Sequence, residues 1–135
     1  MKPLYVLIFA SLLPFAASAQ TPANQITLAD LIYLKRPVIV FADSPADPAF
    51  LRQIDLLSRD PAALEARDVI VITDTDPATP SAIRLKLRPR GFSLVLIDKD
   101  GKTTLRKPLP WDIREITRAI DKFPSRREET LPRTP

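Results

Sequence analysis

The chain has 135 residues, with 20 Lys and Arg against 16 Asp and Glu, which gives a formal net charge of +4. This length suits one domain with one modest hydrophobic core. The chain contains no cysteine, no histidine and only 2 glycines. These absences exclude thiol nucleophiles, disulfides, iron–sulfur sites, Ser-His-Asp triads, imidazole bases and His-ligated zinc. They also exclude a glycine-rich phosphate-binding loop.

The first 19 residues are typical of a cleavable secretory signal. Lys2 precedes a largely apolar stretch at 4–15, and Ala17-Ser18-Ala19 has the small-residue pattern of a cleavage site. The apolar stretch is interrupted by a proline and is shorter than the roughly 20 residues that a membrane span needs. We therefore expect export to the periplasm or the exterior, with a mature chain that starts at about Gln20 and has no transmembrane anchor.

The first half of the mature chain predicts alternating helices and one central strand. A short polar lead at 20–25 precedes a short predicted helix, in which Leu28, Leu31 and Ile32 have helical spacing. The apolar, β-branched run Val38–Ala42 predicts a strand buried on both faces. Asp-Pro pairs are favoured at helix starts, and they begin two predicted helical segments. These pairs are Asp47-Pro48 and Asp60-Pro61.

The second half of the chain predicts three more strands and two more helices. The predicted strands are Val69–Ile72, Phe92–Ile97 and Thr103–Arg106. Asp100-Gly101 favours a tight hairpin turn between the last two strands. A short helix is expected from Pro80, and apolar residues at helical spacing predict an amphipathic helix over 113–123. The domain is expected to span 26–130, with the polar segment after Phe123 forming a tail that is loose at 131–135.

This order of elements predicts a single α/β domain with a mixed sheet flanked by helices. The βαβ–ββα order resembles the thioredoxin-like fold, including peroxiredoxin-like forms. The resemblance implies a redox cysteine pair in the loop at 43–48 and a cis-proline at the position of Ser93, but this chain has neither. Thiol–disulfide exchange needs an attacking thiolate. We therefore expect neither thiol–disulfide oxidoreductase nor thiol peroxidase activity, and no cofactor.

Three segments resemble one small uncharacterised family of exported proteins, found in bacteria and in animal matrix proteins that include sushi-repeat-containing proteins. They are Arg36–Ala42, Gly91–Gly101 and Phe123–Glu129. The residues that match the family pattern are Phe92, Lys99, Asp100, Gly101, Arg126, Arg127 and Glu129. Asp98 and Thr130 depart from it, Asp98 standing where a small residue is usual. The resemblance implies a thioredoxin-like fold and an extracytoplasmic role, but no established reaction.

Four carboxylates follow the first two predicted central strands. They are Asp43, Asp47, Asp74 and Asp76. Because parallel strands end at the same edge of a sheet, these side chains are candidates for holding Ca²⁺, Mg²⁺ or a basic partner. Helix capping and turn formation explain the same residues without a ligand, most directly for Asp47 and Asp76. On this basis, replacing Asp43 and Asp74 together by Asn is expected to leave stability equal or slightly higher.

Basic residues cluster in two further places. In the first, basic and apolar residues alternate over positions 84–90 and no acidic residue occurs. Its basic residues are Arg84, Lys86, Arg88 and Arg90. Such a run either contacts an anionic lipid, glycan or acidic protein, or is simply a solvated face. The pair Arg126-Arg127 follows the last predicted helix, where a cation favourably meets the helix dipole. The pair either docks the segment through carboxylates or marks a partner site, and structural docking is the interpretation that we favour.

The sequence thus favours an exported, non-catalytic binding module whose partner is an unidentified protein or anionic surface. Nucleic acid is not expected as a partner, because an exported protein does not meet it. The alternative is a cation-binding protein or enzyme that uses the four carboxylates at the sheet edge.

Overall fold

The computed structural model of the protein describes residues 20–132, so the predicted signal, its cleavage site and the end of the predicted tail lie outside the described residues. The described part contains one mixed sheet in the order β1-β3-β2-β4-β5. Its strands are β1 (Gln20–Pro22), β2 (Arg36–Phe41), β3 (Val69–Asp74), β4 (Ser93–Ile97) and β5 (Thr103–Lys107). The strands β1, β3 and β2 are parallel, whereas β4 runs antiparallel to β2 and β5 antiparallel to β4.

Five helices accompany the sheet. They are α1 (Pro48–Leu57), α2 (Pro61–Glu65), α3 (Ala82–Leu87), α4 (Ile113–Asp121) and α5 (Pro124–Thr130). Two short 3-10 turns, Ala23–Gln25 and Leu28–Leu31, precede β2. Within residues 20–132, every helix is too short or too polar to cross a lipid bilayer.

The two central strands, β2 and β4, are buried along their whole length. Because side chains alternate along a strand, the sheet supplies two cores. The strand residues of the first core are Val38, Val40, Leu94 and Leu96, packed against α1, α2 and α4. Those of the second are Ile39, Phe41, Ile72, Val95 and Ile97, packed against α3 and the 3-10 turns. Full burial of one such side chain stabilises the fold by about 1.5–3 kcal/mol, so these strands anchor the domain.

The capping predictions are confirmed by side-chain hydrogen bonds. Asp47 accepts from the backbone N–H of Ala49 at 2.8 Å at the start of α1. Asp60 accepts from the N–H of Ala63 at 3.1 Å at the start of α2. A further cap, Ser81, accepts from the N–H of Arg84 at 3.0 Å and places the start of α3 two residues after Pro80.

Several local expectations are wrong. The predicted helix at Leu28 is only a 3-10 turn that buries Leu31 and leaves Ile32 at the surface. The polar lead contains β1, which pairs with β3 through backbone hydrogen bonds that need no apolar side chains. The segment from Pro124 to Thr130, expected as a polar tail without a helix, forms α5, because its side chains bind buried charges of the sheet.

The register defines two ends of the sheet. We call the end where β2 and β3 finish the carboxyl end; β4 starts there, because Phe41 pairs with Ser93. The other end, where β2 starts at Arg36 and β4 finishes at Ile97, is the amino end.

Candidate functional site

The loop after β2, at the carboxyl end, occupies the place that the thioredoxin resemblance assigns to the redox cysteines. Asp47 caps α1 by accepting a hydrogen bond from the backbone N–H of Ala49, and Ser44 accepts one from the backbone N–H of Ala46 at 3.1 Å. Asp43 is exposed, and its Oδ2 would lie 4.0 Å from a Cβ added at Gly91. The loop therefore contains hydroxyl and carboxylate groups that stabilise a turn and a helix start, and no sulfur nucleophile.

Asp74 is buried at this end in an ion pair with Arg84. Arg84 Nε donates to Asp74 Oδ1 at 3.1 Å, and the hydroxyl of Ser81 donates to Asp74 Oδ2 at 2.6 Å. Burial alone would raise the pKa of Asp74, but the hydrogen bonds from Arg84, Ser81 and the backbone of Asp76 outweigh it and lower the pKa. Arg84 Nη2 also donates to the carbonyl of Ala42 at 2.9 Å, which ties α3 to both parallel strands.

Three of the four candidate carboxylates, all except Asp43, are therefore engaged within the described fold. A guanidinium already neutralises Asp74, and Asp76 accepts from the N–H of Thr79 at 3.3 Å within its own turn. Within residues 20–132, no three His, Cys, Asp or Glu side chains are grouped in a way that would hold a metal ion. The strand order places Asp43 and Asp74 at the same end of the sheet, as expected. The positive charge beside Asp74 is supplied by Arg84.

The same end of the sheet carries a second feature, which we call the arginine cleft. It has a cavity volume of about 350 Å³ and is lined by Arg88, Arg90, Phe92, Ser93, Arg106 and Pro108. Two of its arginines belong to the connection between α3 and β4, and the third lies on β5. None of the three guanidinium groups forms an ion pair or a hydrogen bond with another residue in the described part of the chain.

The basic run is split by the fold. Arg84 points inward to Asp74, whereas Lys86 is exposed and lines a different groove beside Lys35. Only Arg88 and Arg90 reach the cleft, where Gly91 and Arg88 both adopt left-handed backbone conformations, with φ of 56° and 49°. These values turn the chain sharply between α3 and β4 and place both arginines on one side.

Arg106 was not predicted as part of this cluster. It pairs with Val95 across the hairpin, and so it comes from a strand that follows the basic run by more than a dozen residues. The only signal in the sequence is the hairpin itself, which returns the chain along β4 towards the carboxyl end.

Most residues of the family pattern lie at the amino end, around a buried arginine. Arg36 has 1% of its surface exposed. Its guanidinium donates to Asp98 Oδ1 at 3.3 Å, to the carbonyl of Arg67 at 2.8 Å, to Ser125 Oγ at 2.8 Å and to Glu129 Oε1 at 2.9 Å. The hydroxyl of Ser125 also donates to Asp98 Oδ1. These contacts attach α5 to the first residue of β2.

Lys99 and Glu129 extend this cluster. Lys99 Nζ donates to Glu129 Oε1 at 2.7 Å and to Asp68 Oδ2 at 2.8 Å. Burial would raise the pKa of Glu129, but hydrogen bonds from Arg36, Lys99 and Arg126 lower it to about 2. Burial would lower the pKa of Lys99, but its two carboxylate partners raise it.

The remaining pattern residues have separate positions. Arg126 Nη1 donates to Glu129 Oε2 at 3.1 Å, and its buried Nε lies 3.6 Å from Asp121, an ion-pair distance that is too long for a hydrogen bond. Arg127 is exposed, whereas Phe92 lines the arginine cleft at the other end. The geometry therefore supports structural docking for Arg126, with Glu129 as one of its carboxylates.

Comparisons with known proteins agree with this fold. The family model described as a domain of unknown function, DUF4174, matches residues 27–129. The reduced 2-Cys peroxiredoxin of Plasmodium vivax has a TM-score of 0.61 and 18% identity, with 78% of this chain and 86% of that chain covered. Chloroplastic thioredoxin z has a TM-score of 0.58 and 17% identity, with 76% and 90% covered.

An exposed lipoprotein thioredoxin of Streptococcus pneumoniae is also similar, with a TM-score of 0.53, 17% identity, and 71% of this chain and 90% of that chain covered. No curated protein matches the sequence. At these identities the structural likeness concerns the fold alone, and the predicted thioredoxin-like, peroxiredoxin-like architecture is confirmed.

Proposed function

We propose that this chain, which belongs to the DUF4174 family, is an exported, non-catalytic thioredoxin-like module that binds an acidic segment of a partner protein in the arginine cleft. The single observation that carries the proposal is the convergence on one cavity of three guanidinium groups that have no ion-pair partner within residues 20–132. The proposal also includes an expectation from the sequence, namely export of a mature chain that starts at about Gln20.

The groups present at the carboxyl end support the proposal of a non-catalytic module. There is no thiol, and Asp47, Asp74 and Asp76 are each bound by a cap, an ion pair or a turn. A carboxylate that acts as a general base must be able to accept a proton from a substrate. Asp74 is unsuited to that step, because Arg84 and Ser81 occupy its oxygens and lower its pKa.

The cleft has the chemistry of an anion-binding surface. Guanidinium groups bind carboxylates through paired N–H donors, and an arginine that lacks a partner in the free protein offers all of them. The lining also includes the apolar ring of Phe92 and the buried Ser93 at the start of β4. A short acidic peptide with an apolar side chain between its carboxylates matches this combination of charge and surface.

Peptide binding tests the proposal directly. A fluorescein-labelled Asp/Glu-rich peptide is titrated with the protein in low salt, and fluorescence anisotropy is compared with that of the same peptide carrying Asn/Gln. We expect binding of the acidic peptide only, weakening as salt screens the charges. The triple variant Arg88→Gln, Arg90→Gln, Arg106→Gln is expected to lose it.

A matched triple variant controls for net charge. Arg52, Arg114 and Arg118 lie on α1 and α4, are exposed, and form no ion pair within residues 20–132. Replacing these three by Gln removes the same charge and is expected to preserve peptide binding. If the control variant loses as much affinity as the cleft variant, the attraction is one of overall charge and the proposed site is wrong.

The alternative of a cation-dependent protein makes a different prediction. A ligand that binds only the native state raises its melting temperature. We expect the melting temperature to be unchanged by Ca²⁺, Mg²⁺ or Mn²⁺ at constant ionic strength, because Arg84 already neutralises Asp74. A rise that disappears in Asp43→Asn would instead favour the carboxylate site.

A further inference from the structure

Three consecutive apolar side chains are exposed just before β2. Ile32, Tyr33 and Leu34, which we call the Tyr33 loop, have 37%, 77% and 64% of their surfaces exposed. They lie at the amino end of the sheet, opposite the arginine cleft. Exposed apolar residues are common singly, but a contiguous run of them marks an interaction site more often than a packing accident.

The Tyr33 loop is held in place by the fold. The backbone N–H of Tyr33 donates to the carbonyl of Lys99 at 2.6 Å, and that of Leu34 donates to Leu31 at 3.0 Å. A Cβ added at Gly101 would lie 3.4 Å from the side chain of Ile32. Two residues of the family pattern, Lys99 and Gly101, therefore support the loop from the β4–β5 turn.

Tyr33 itself has a strained backbone. Its φ is 67°, in the left-handed region that disfavours residues with a Cβ. Strain of this kind persists only where surrounding contacts impose it, and it concentrates at functional sites. Glycine would satisfy the conformation without strain, so the tyrosine side chain is not needed to form this turn. Because 77% of the surface of Tyr33 is exposed, its side chain contributes little to the core either.

The surroundings of the loop combine apolar residues, two exposed lysines and carboxylates that have partners within the fold. Ile32 borders a small groove whose apolar lining includes Leu28, Leu31 and Pro37. The exposed side chains of Lys35 and Lys86 border the same groove. No ion pair of either lysine occurs among the described residues. Three carboxylates also lie near the loop, and each has a partner. Asp30 accepts a hydrogen bond from the Thr27 hydroxyl at 2.6 Å, Asp98 of the groove is paired with Arg36, and Asp100 accepts from the backbone N–H of Lys102 at 2.9 Å.

We propose that the Tyr33 loop inserts into the interfacial layer of an anionic lipid membrane, with the two lysines contacting lipid headgroups. A small apolar tip beside lysines is suited to a bilayer surface, where a tyrosine ring lies at the headgroup level and lysines are attracted to anionic lipid. A protein interface of standard size uses about 20–30 residues on each side, far more than this three-residue tip supplies.

Vesicle co-sedimentation tests the proposal. The protein is purified from the cells that make it, its N-terminus is determined by intact mass, and it is mixed with phosphatidylcholine vesicles with or without phosphatidylglycerol. We expect sedimentation with the anionic vesicles and much less with the neutral ones. Tyr33→Gly combined with Leu34→Ser is expected to lower the partition coefficient about tenfold or more, because burial of one large apolar side chain corresponds to at least a tenfold change.

Two controls distinguish insertion from other causes. Tyr33→Gly alone relieves the strained φ, so it is expected to fold at least as stably as the wild type while it loses partitioning. Leu109→Ser removes a side chain that is 70% exposed elsewhere on the surface and is expected to leave partitioning unchanged. Equal partitioning of the wild type and the Tyr33→Gly, Leu34→Ser variant would overturn the proposal, as would absence of binding to both kinds of vesicle.

Discussion

The two ends of the sheet differ in what their charged residues contact. At the amino end, Arg36 is surrounded by protein acceptors, and Lys99 bridges two carboxylates. At the carboxyl end, one arginine is paired inside the fold, whereas the three arginines of the cleft contact no carboxylate of the described chain. Charges that are buried must be paired, so the first arrangement stabilises the fold. Charges left unpaired beside a cavity are the ones available to a ligand.

This difference also separates two kinds of sequence pattern. The family residues Lys99, Arg126 and Glu129 are held within the amino-end network, where they attach α5 to the sheet. The residues of the cleft are mostly outside that pattern, with Phe92 as the exception. The strongest motif in the sequence therefore describes how the domain is built more than what it binds.

The largest effect is expected from Arg36→Met. The substitution fills a similar volume but leaves the buried Asp98 without its guanidinium and removes one of the three cationic partners of Glu129. Removing one partner of a buried ion pair costs about 3–5 kcal/mol. Urea denaturation followed by circular dichroism measures the loss. Arg127→Met is the matched control, because Arg127 is exposed on α5, and it is expected to change stability by less than about 0.5 kcal/mol.

A loss of stability as small as that of the control would contradict the amino-end network. It would mean that the contacts of Arg36 with Ser125 and Glu129 are replaced by water without cost, and that α5 is attached to the sheet in some other way.

A smaller loss is expected from Asp74→Asn at the carboxyl end. The amide keeps some of the hydrogen bonds from Ser81 and Arg84, but the buried guanidinium loses its countercharge, so we expect a loss of about 2 kcal/mol. Asp43→Asn, on an exposed side chain, is expected to stay within about 0.5 kcal/mol of the wild type. Urea denaturation of both single variants and the double variant measures these differences.

This result would reverse the expectation from the sequence, in which the double variant is as stable as the wild type or slightly more stable. That expectation treated Asp43 and Asp74 as equivalent, because neither precedes a proline. Equal, small effects of the two single substitutions would restore it and would make the ion pair with Arg84 unimportant for stability.

The dependence of stability on pH gives a third test. The pKa of Glu129 is about 2 in the folded protein, against an ordinary value of 4.5. The unfolded chain therefore binds this proton more readily, and the stabilisation by Glu129 is complete above about pH 4.5 and is lost as the pH falls towards 2. Glu129→Gln is expected to reduce the slope of the free energy of unfolding against pH in that window.

The neighbouring residue provides the control for this titration. Glu128 is exposed, and no ion pair of it is present in residues 20–132, so Glu128→Gln is expected to keep the wild-type slope. If both variants keep that slope, then Glu129 does not titrate with a lowered pKa, and its contacts with Arg36 and Lys99 are weaker than their distances indicate.

The parts of the fold that could be predicted are those with local signals. Apolar runs identify β2, β3 and β4, and Asp-Pro pairs identify the starts of α1 and α2. The short strand β1 has no such signal, because its three residues are ordered by backbone pairing with β3. The helix α5 was missed because its order depends on Arg36, whose partners Asp98 and Glu129 are 62 and 93 residues away along the chain.

The candidate site was predictable to a similar, partial degree. Asp43 and Asp74 were placed at the correct end of the sheet, because the ends of parallel strands are fixed by the strand order. The countercharge of Asp74 was present in the predicted basic run as Arg84, but the sequence does not state which arginine of a run points inward. Capping by Ser81 and the turn of α3 decide that direction.

The smallest effect on stability, and the sharpest test of the comparison, is expected from the cleft variant Arg88→Gln, Arg90→Gln, Arg106→Gln. These side chains make no ion pair within residues 20–132. In chloride, the free energy of unfolding of the variant is therefore expected to lie within about 0.5 kcal/mol of the wild-type value. In phosphate at the same ionic strength, the wild type is expected to gain stability, because an anion that binds only the folded state shifts the equilibrium towards it. The cleft variant should lose that gain, since the phosphate would have no guanidinium cluster to bind.

General effects of phosphate on the protein surface are common to all variants, so the Arg52→Gln, Arg114→Gln, Arg118→Gln control separates them from binding. We expect the control to retain the full gain in stability. If the cleft and control variants gain equally in phosphate, the three cleft arginines are merely solvated, and the difference between the two ends is one of structure alone. If instead the cleft variant is strongly destabilised in chloride, its arginines are structural like Arg36, and the distinction between paired and unpaired ends fails.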